Sequence, residues 1–161
     1  GVDYYFVDDA EFDRMIRAGE FAEWATVHGF RYGTAKRPLE QALDAGEDLL
    51  LDIDVQGARQ IKAAYPDAVA IFLIPPSRDS LEQRLRSRGT DDEQTVRRRL
   101  EGACREIEAA TAYDYLVVND DLPRTVQTVV SIVEAERSRV ARLDGGELER
   151  LLADFRADRR L

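Results

Sequence analysis

Apolar residues follow two patterns along the chain: short consecutive runs, and longer stretches with helical periodicity. A consecutive run suits a strand covered on both faces, whereas spacings of three and four residues suit an amphipathic helix. The runs predict strands at 4–7, 49–54, 68–74 and 114–118, and a hairpin over 21–33 bending at His28-Gly29. The spacings predict helices between Asp8 and Gly19, over 37–45, 56–64 and 78–87, from Thr90 to about 111, and beyond 121. Buried strands alternating with helices predict an α/β fold, a parallel sheet with helices on both faces.

Polar residues at the predicted helix ends support these boundaries. Asp8 or Asp9 can cap the first helix, and Ser77 can cap the helix at 78–87. Thr90 and Glu93 have the spacing of a capping box. The last long helix has an apolar stripe through Leu122, Val126, Val129, Val133 and Val140. A short amphipathic tail follows Gly145-Gly146.

Two carboxylates end the leucine-rich run LLLDIDVQG, residues 49–57. Ligands of parallel α/β sheets bind beyond the carboxyl ends of the strands, where Asp52 and Asp54 would lie on one side of their strand. Like charges held together require a facing cation or hydrogen-bond donors. The alternative is a solvated strand end that caps the next helix, and the spacing leaves both interpretations open.

Arginine residues cluster on the two helices after the second buried strand. Arg84 and Arg88 share a helix face, and Arg99 flanks the apolar stripe of the following helix while Arg98 points away from it. Three guanidinium groups converging from two helices would suit phosphate oxygens, since each can donate two parallel hydrogen bonds. A solvated basic face is the alternative.

The front of the chain carries polar groups within predicted strands and turns. Glu23 stands between Ala22 and Trp24, so it is either a surface residue or an acceptor for the N–H groups of a guanine edge. Tyr4 and Tyr32 could donate hydrogen bonds to phosphate or simply pack, and spacing does not separate these options.

The composition of the chain limits the kinds of ligand and partner that it is expected to bind. The 161 residues carry a formal net charge of −9, which argues against nucleic-acid binding, and the local arginine cluster favours a small anionic ligand. No stretch approaches the roughly 20 apolar residues of a membrane helix, and the N-terminus lacks the pattern of a signal peptide. One cysteine, Cys104, fits a reducing compartment, so we expect a cytoplasmic protein without a membrane partner. His28 lies in a predicted turn, and no Cys/His cluster predicts a structural metal.

Four stretches stand out in order between residue 1 and about 140: FAEWATVHGFRYGTAK, LLLDIDVQGARQIK, IFLIPPSRDSLEQRLRSRGTDDEQTVRRRL and YDYLVVNDD. Together they resemble guanylate kinase. The resemblance implies a P-loop fold and the reaction of ATP with GMP to give ADP and GDP, with Mg²⁺ arriving with ATP. It divides the chain into a GMP-binding lobe at 1–35, a parallel-sheet core at 36–77 and 112–143, a lid with flanking helices at 78–111, and a helical tail at 144–161.

The resemblance also implies roles by motif position. On the GMP side, Tyr4 and Tyr32 would hold the phosphate, Glu23 and Thr34 would read the guanine edge, and Gly33 and Asp54 would also face GMP. On the ATP side, Arg84, Asn119 and Asp120 would lie near the nucleotide, and Asp52 would engage the magnesium shell through water. Arg88 and Arg99 would be lid arginines that neutralise charge on the transferred phosphoryl group.

The pattern G-x-x-x-x-G-K-[ST] does not occur in the 161 residues, and neither Lys36 nor Lys62 follows a glycine. We expect that the natural protein has further residues before Gly1, and that these 161 residues alone transfer no phosphate, are marginally stable or pair with another chain. The alternatives are a degenerate guanylate-kinase-like interaction module, a kinase for another nucleoside monophosphate, and a short enzyme with a different phosphate clamp. The sequence allows a monomer or a homo-oligomer.

Overall fold

The computed structural model describes residues 4–27, 29–87, 89, 92–143 and 145–157. Its order of elements confirms the α/β class. The strands are β1 Phe21–Val27, β2 Phe30–Ala35, β3 Ile71–Ile74 and β4 Tyr115–Val118. The α-helices are α1 Asp9–Ala18, α2 Lys36–Asp44, α3 Val55–Ala64, α4 Arg78–Ser87, α5 Glu93–Glu108, α6 Leu122–Arg137 and α7 Gly145–Ala157. Short 3₁₀ turns follow α5 at Ala109–Ala112 and α6 at Val140–Arg142.

The chain forms two compact units. The first runs to Phe72 and includes 101–115, so it holds the hairpin with α1, α2 and α3. The second consists of 73–100 and the chain from Leu116 onward, so it holds α4, α6 and α7.

The first unit is organised around the antiparallel hairpin of β1 and β2. The ring of Phe12 on α1 lies 4.6 Å from the ring of Phe21 on β1. The guanidinium of Arg31 on β2 sits 4.6 Å above the centre of the Phe12 ring and pairs with Asp9 and Asp13 on α1. One aromatic and cationic cluster thus fixes α1 against the hairpin.

The second sheet pairs β3 with β4. Tyr115 N–H donates to Ala70 C=O at 3.1 Å, and Asn119 N–H donates to Ile74 C=O at 2.7 Å. The partner numbers rise together along both segments, so the strands run parallel, as the sequence predicts.

Two strand predictions are wrong for the described residues. Neither 4–7 nor 49–54 forms a strand, and the apolar side chains that the prediction buries are exposed, Tyr5 at 92% and Leu50 at 84%. An apolar run supplies side chains for a strand, but the strand exists only where a neighbour completes its ladder of hydrogen bonds. No described segment pairs with either run.

Helix boundaries follow the sequence closely where a cap is present. Asp8 accepts a hydrogen bond from Glu11 N–H at 2.8 Å, and Gly19 ends α1 with φ of 66°. Ser77 accepts from Ser80 N–H at 3.0 Å before α4. Thr90 lies outside the described residues, so the predicted capping box is not tested.

The predicted apolar stripe of α6 is wrong in part. The buried residues are Thr125, Ile132 and Glu136, whereas Leu122 and Val126 are exposed. Positions 125, 132 and 136 share one helical face. Two of these residues, Thr125 and Glu136, are polar, so a prediction based on apolar residues alone does not identify this face as the buried one. The stripe of α5 is confirmed at its start, where Val96 and Leu100 pack with Leu85 of α4.

Candidate functional site

A buried carboxylate lies in the hairpin of the first unit. Strand pairing places Glu23 of β1 opposite Thr34 of β2, and the Thr34 hydroxyl donates to Glu23 Oε1 at 2.6 Å. Glu23 is only 5% exposed, and Oε2 accepts no hydrogen bond from a described residue. A carboxylate oxygen without a protein donor can accept a hydrogen bond from a ligand. The pair is a candidate site for N–H or O–H donors of a ligand, and Glu23 is not the surface residue that the sequence left open.

Two further predicted site residues accompany this pair. The rings of Tyr4 and Tyr32 meet edge to face, with centroids 5.9 Å apart, and both side chains are largely exposed. Tyr32 precedes Gly33 and Thr34 on β2, so four residues of the GMP set proposed from sequence, with Glu23, lie on one hairpin, whereas Tyr4 and Asp54 lie outside it. A Cβ at Gly33 would stand 2.7 Å from the Phe21 ring, which explains the glycine there.

The two acids of the leucine-rich run differ in their surroundings. Asp54 is the N-cap of α3, where Oδ1 accepts from Gly57 N–H at 2.9 Å and Oδ2 accepts from the Gln56 side chain at 2.9 Å. The capping interpretation therefore holds for Asp54, and its role toward GMP stays a prediction. Asp52 is exposed and accepts no hydrogen bond from a described residue.

The arginine predictions fall in the second unit. Arg99 is half-buried while Arg97 and Arg98 are exposed, as the flank of the α5 stripe predicts. Arg84 of α4 donates to the carbonyl oxygen of Asn119 at 2.8 Å. Arg88 lies outside the described residues. The convergence of the three guanidinium groups therefore stays a prediction.

Arg84 contacts both of the other residues predicted to lie near ATP. Its guanidinium also reaches the carbonyl oxygen of Asp120 at 3.4 Å, so it spans the turn after β4. The Thr125 hydroxyl of α6 donates to the Asp121 carbonyl oxygen at 2.8 Å and lies 3.4 Å from the Asn119 amide oxygen, which ties the same turn to α6. Asp52 belongs to the first unit and this turn to the second, so their joint action stays a prediction.

Sequence reasoning missed residues that adjoin the predicted site. Gln60 of α3 bonds to the backbone of Trp24, beside Glu23, and no motif points to it. Burial raises the pKa of the Tyr113 hydroxyl, and the negative charges of Asp54 and Glu106 raise it further. A neutral phenol therefore lies within electrostatic reach of the α3 N-terminus at physiological pH.

The α/β fold matches the P-loop kinase class, and comparison with known proteins specifies the family. The profile described as guanylate kinase matches residues 1–136. The chain belongs to the guanylate kinase family. The guanylate kinase of Syntrophotalea carbinolica is 54% identical over 143 residues, covering 89% of this chain and 68% of that protein. The guanylate kinase of Carboxydothermus hydrogenoformans is 46% identical over 156 residues, covering 93% of this chain and 76% of that protein.

A solved structure agrees with the sequence comparison. The crystal structure of guanylate kinase from Anaplasma phagocytophilum superposes with a TM-score of 0.79 at 38% identity, covering 96% of this chain and 74% of that chain. Within the described residues, no helix is both long and apolar enough to cross a membrane.

Proposed function

We propose that this protein is a guanylate kinase, which transfers the γ-phosphoryl group of ATP to GMP and yields ADP and GDP. Family membership supports the reaction, and the buried Glu23–Thr34 pair is the observation that supports guanine as the base. The reported relatives are named guanylate kinases, and none is named as an interaction module. The kinase is therefore preferred to the degenerate binding module.

The chemistry of the pair favours guanine over adenine. Thr34 donates its single hydroxyl proton to Glu23, so the two side chains offer only hydrogen-bond acceptors to a ligand. The Watson–Crick edge of guanine presents N1–H and the 2-amino group, which are donors. Adenine presents one donor, its 6-amino group, beside an acceptor at N1 that would face an acceptor of the site, a mismatch of the kind that makes hydrogen-bonding sites selective.

The remaining groups suit the phosphates. Tyr32 on the hairpin and Tyr4, whose ring meets that of Tyr32, carry exposed phenols, and we assign them to the GMP phosphate, with Gly33 and Asp54 beside the same nucleotide. In the second unit we assign Arg99 and Arg88 to the charge of the transferred group. Positioning and positive charge are what phosphoryl transfer requires of a protein.

We assign ATP to the neighbourhood of Arg84, Asn119 and Asp120. Asp52 is the candidate for contact with Mg²⁺ through water, since Mg²⁺ keeps most of its waters and takes few carboxylates. The exposed Asp52 carboxylate fits that demand. When bound, Mg²⁺ supplies neutralisation of phosphate charge. We place the activity in the cytoplasm and in purine nucleotide metabolism, where both substrates are available.

The test measures binding of GMP and of AMP to this chain by calorimetry, because base selection does not depend on the glycine–lysine loop absent from the 161 residues. Replacing Glu23 by Gln should weaken GMP binding roughly 10- to 100-fold, the value of one good base contact, and leave AMP binding unchanged. Glu40→Gln, at an exposed position of α2, is the matched control and should change neither. Equal losses for GMP and AMP would contradict a base-reading role.

A further inference from the structure

Helix α3 packs against the strand that carries Glu23, and two of its residues meet that strand directly. Asp54 fixes the first turn of the helix, and its Oδ1 holds the N–H of Gly57 at 2.9 Å. Gly57 is buried, and Gln60 follows three residues later on the adjoining turn. Because positions i and i+3 lie on one helical face, both residues can face β1.

Gly57 provides the space in which the Glu23 carboxylate lies. A Cβ built on Gly57 would stand 2.5 Å from Glu23 Oε2 and 3.1 Å from Cδ. Any side chain there would displace the carboxylate, since this is the mobile end of a long side chain and the backbone around it is fixed. The displaced atom is the oxygen that the proposed function leaves free for guanine.

Gln60 holds the backbone next to Glu23. Its amide nitrogen donates to Trp24 C=O at 2.7 Å, and Trp24 N–H donates to its amide oxygen at 3.2 Å. In a strand, the N–H and C=O of one residue point the same way, so this amide replaces a neighbouring strand at Trp24. The same nitrogen lies 3.3 Å from Gln56 C=O, which fixes the amide to α3.

We propose that Gly57 and Gln60 are positioning residues for Glu23, and that α3 thereby sets the preference for guanine. The inference rests on the proposed function and extends it from the groups that touch the base to the groups that place them. Gly57 fixes the depth of the carboxylate, and Gln60 fixes the position of the strand from which it projects. A purely structural role would change folding but would leave the preference of the folded protein among nucleotides unaltered.

The experiment compares GMP and AMP affinities for Gly57→Ala and Gln60→Leu. Gly57→Ala should lower the ratio of GMP to AMP affinity about tenfold and Gln60→Leu severalfold, while circular dichroism shows a retained fold. In the Glu23→Gln background, Gly57→Ala should lower the ratio no further, because the two changes act on one carboxylate. Gly102→Ala is the matched helical glycine, with nothing within 4 Å of its added Cβ, and should leave the ratio unchanged.

The measured GMP preference distinguishes failure of this inference from failure of the proposed function. Full retention of the GMP preference by both variants would overturn this inference and leave the proposed function intact. Absence of any GMP preference in the unchanged chain would overturn the proposed function itself. If Gly57→Ala does not fold, Gln60→Leu decides by the same comparison, with Gln41→Leu on α2 as its control. The emission of Trp24, the single tryptophan, should shift in Gln60→Leu without nucleotide, which reports the strand position directly.

Discussion

Lys62 holds the end of α3 to the segment that leads into β3, and its loss should destabilise the first unit. Its ammonium donates to Ala68 C=O at 2.7 Å and pairs with Asp114 Oδ2 at 2.9 Å. The same Asp114 oxygen accepts from Ala70 N–H at 2.7 Å. Lys62→Met retains most of the apolar stem and removes only the ammonium and its hydrogen bonds.

The loss of stability expected for Lys62→Met follows from the two short contacts of the ammonium group. The bond to the carbonyl oxygen is partly buried and contributes about 1 kcal/mol net. The ion pair is 31% and 41% exposed, so solvent screening reduces it to about 0.5 kcal/mol. The sum, about 1.5 kcal/mol, corresponds to a fall in Tm of about 3–6 °C for a protein of this size.

The chain has two lysines, so Lys36→Met is the natural control. Lys36 faces Glu40 at 3.6 Å with both side chains about half exposed, and its loss should cost less than about 0.5 kcal/mol. Urea unfolding, followed by circular dichroism, measures both free energies. Equal effects of the two substitutions, or no effect of Lys62→Met, would refute the assignment of the α3 end to this network.

Three other changes test local features of the structure. Gly33→Ala should cost about 1–3 kcal/mol in urea unfolding, because its Cβ would displace an aromatic ring of β1. The N–H of Thr95 lowers the pKa of Asp92, so this carboxylate stabilises α5 above about pH 4 and loses its effect as pH falls through the lowered pKa. Asparagine is also a good cap, so Asp92→Asn should keep the stability of the protein at neutral pH. Below about pH 4, the urea midpoint of this variant should no longer show the fall that protonation of Asp92 causes. Glu136→Gln should cost about 1–2 kcal/mol, because it weakens a buried carboxylate paired with two arginines, whereas the exposed Glu134→Gln on the same helix should change little.

Sequence patterns located helices better than strands here, for a physical reason. A helix satisfies its own backbone, so a cap at Asp8 or Ser77 and an apolar period define it locally. A strand depends on a partner that can be distant in sequence, and the runs at 4–7 and 49–54 have no partner among the described residues. The α6 stripe failed differently, because its packed face includes a threonine and a paired glutamate.

The candidate site could be predicted only in part from the residues themselves. Motif resemblance selected Glu23 and Thr34, and the hairpin register explains why they meet. Sequence did not show that the carboxylate is buried with one oxygen free, because burial depends on α3 packing from outside the hairpin. Gln60 was missed since a side-chain amide paired with a strand backbone has no characteristic spacing.

The final residues of the run LLLDIDVQG cap helix α3 and place a glycine against the Glu23 carboxylate. A cap at Asp54 sets the rotation and start of α3, and this places Gly57 where its missing side chain admits the Glu23 carboxylate. The proposed guanine site would link capping to ligand selection, since a change in the start of the helix would move Gly57, which lies against the Glu23 carboxylate. In the proposed site, selectivity would come from acceptors that α3 holds in place, because a base without matching donors would leave them unpaired.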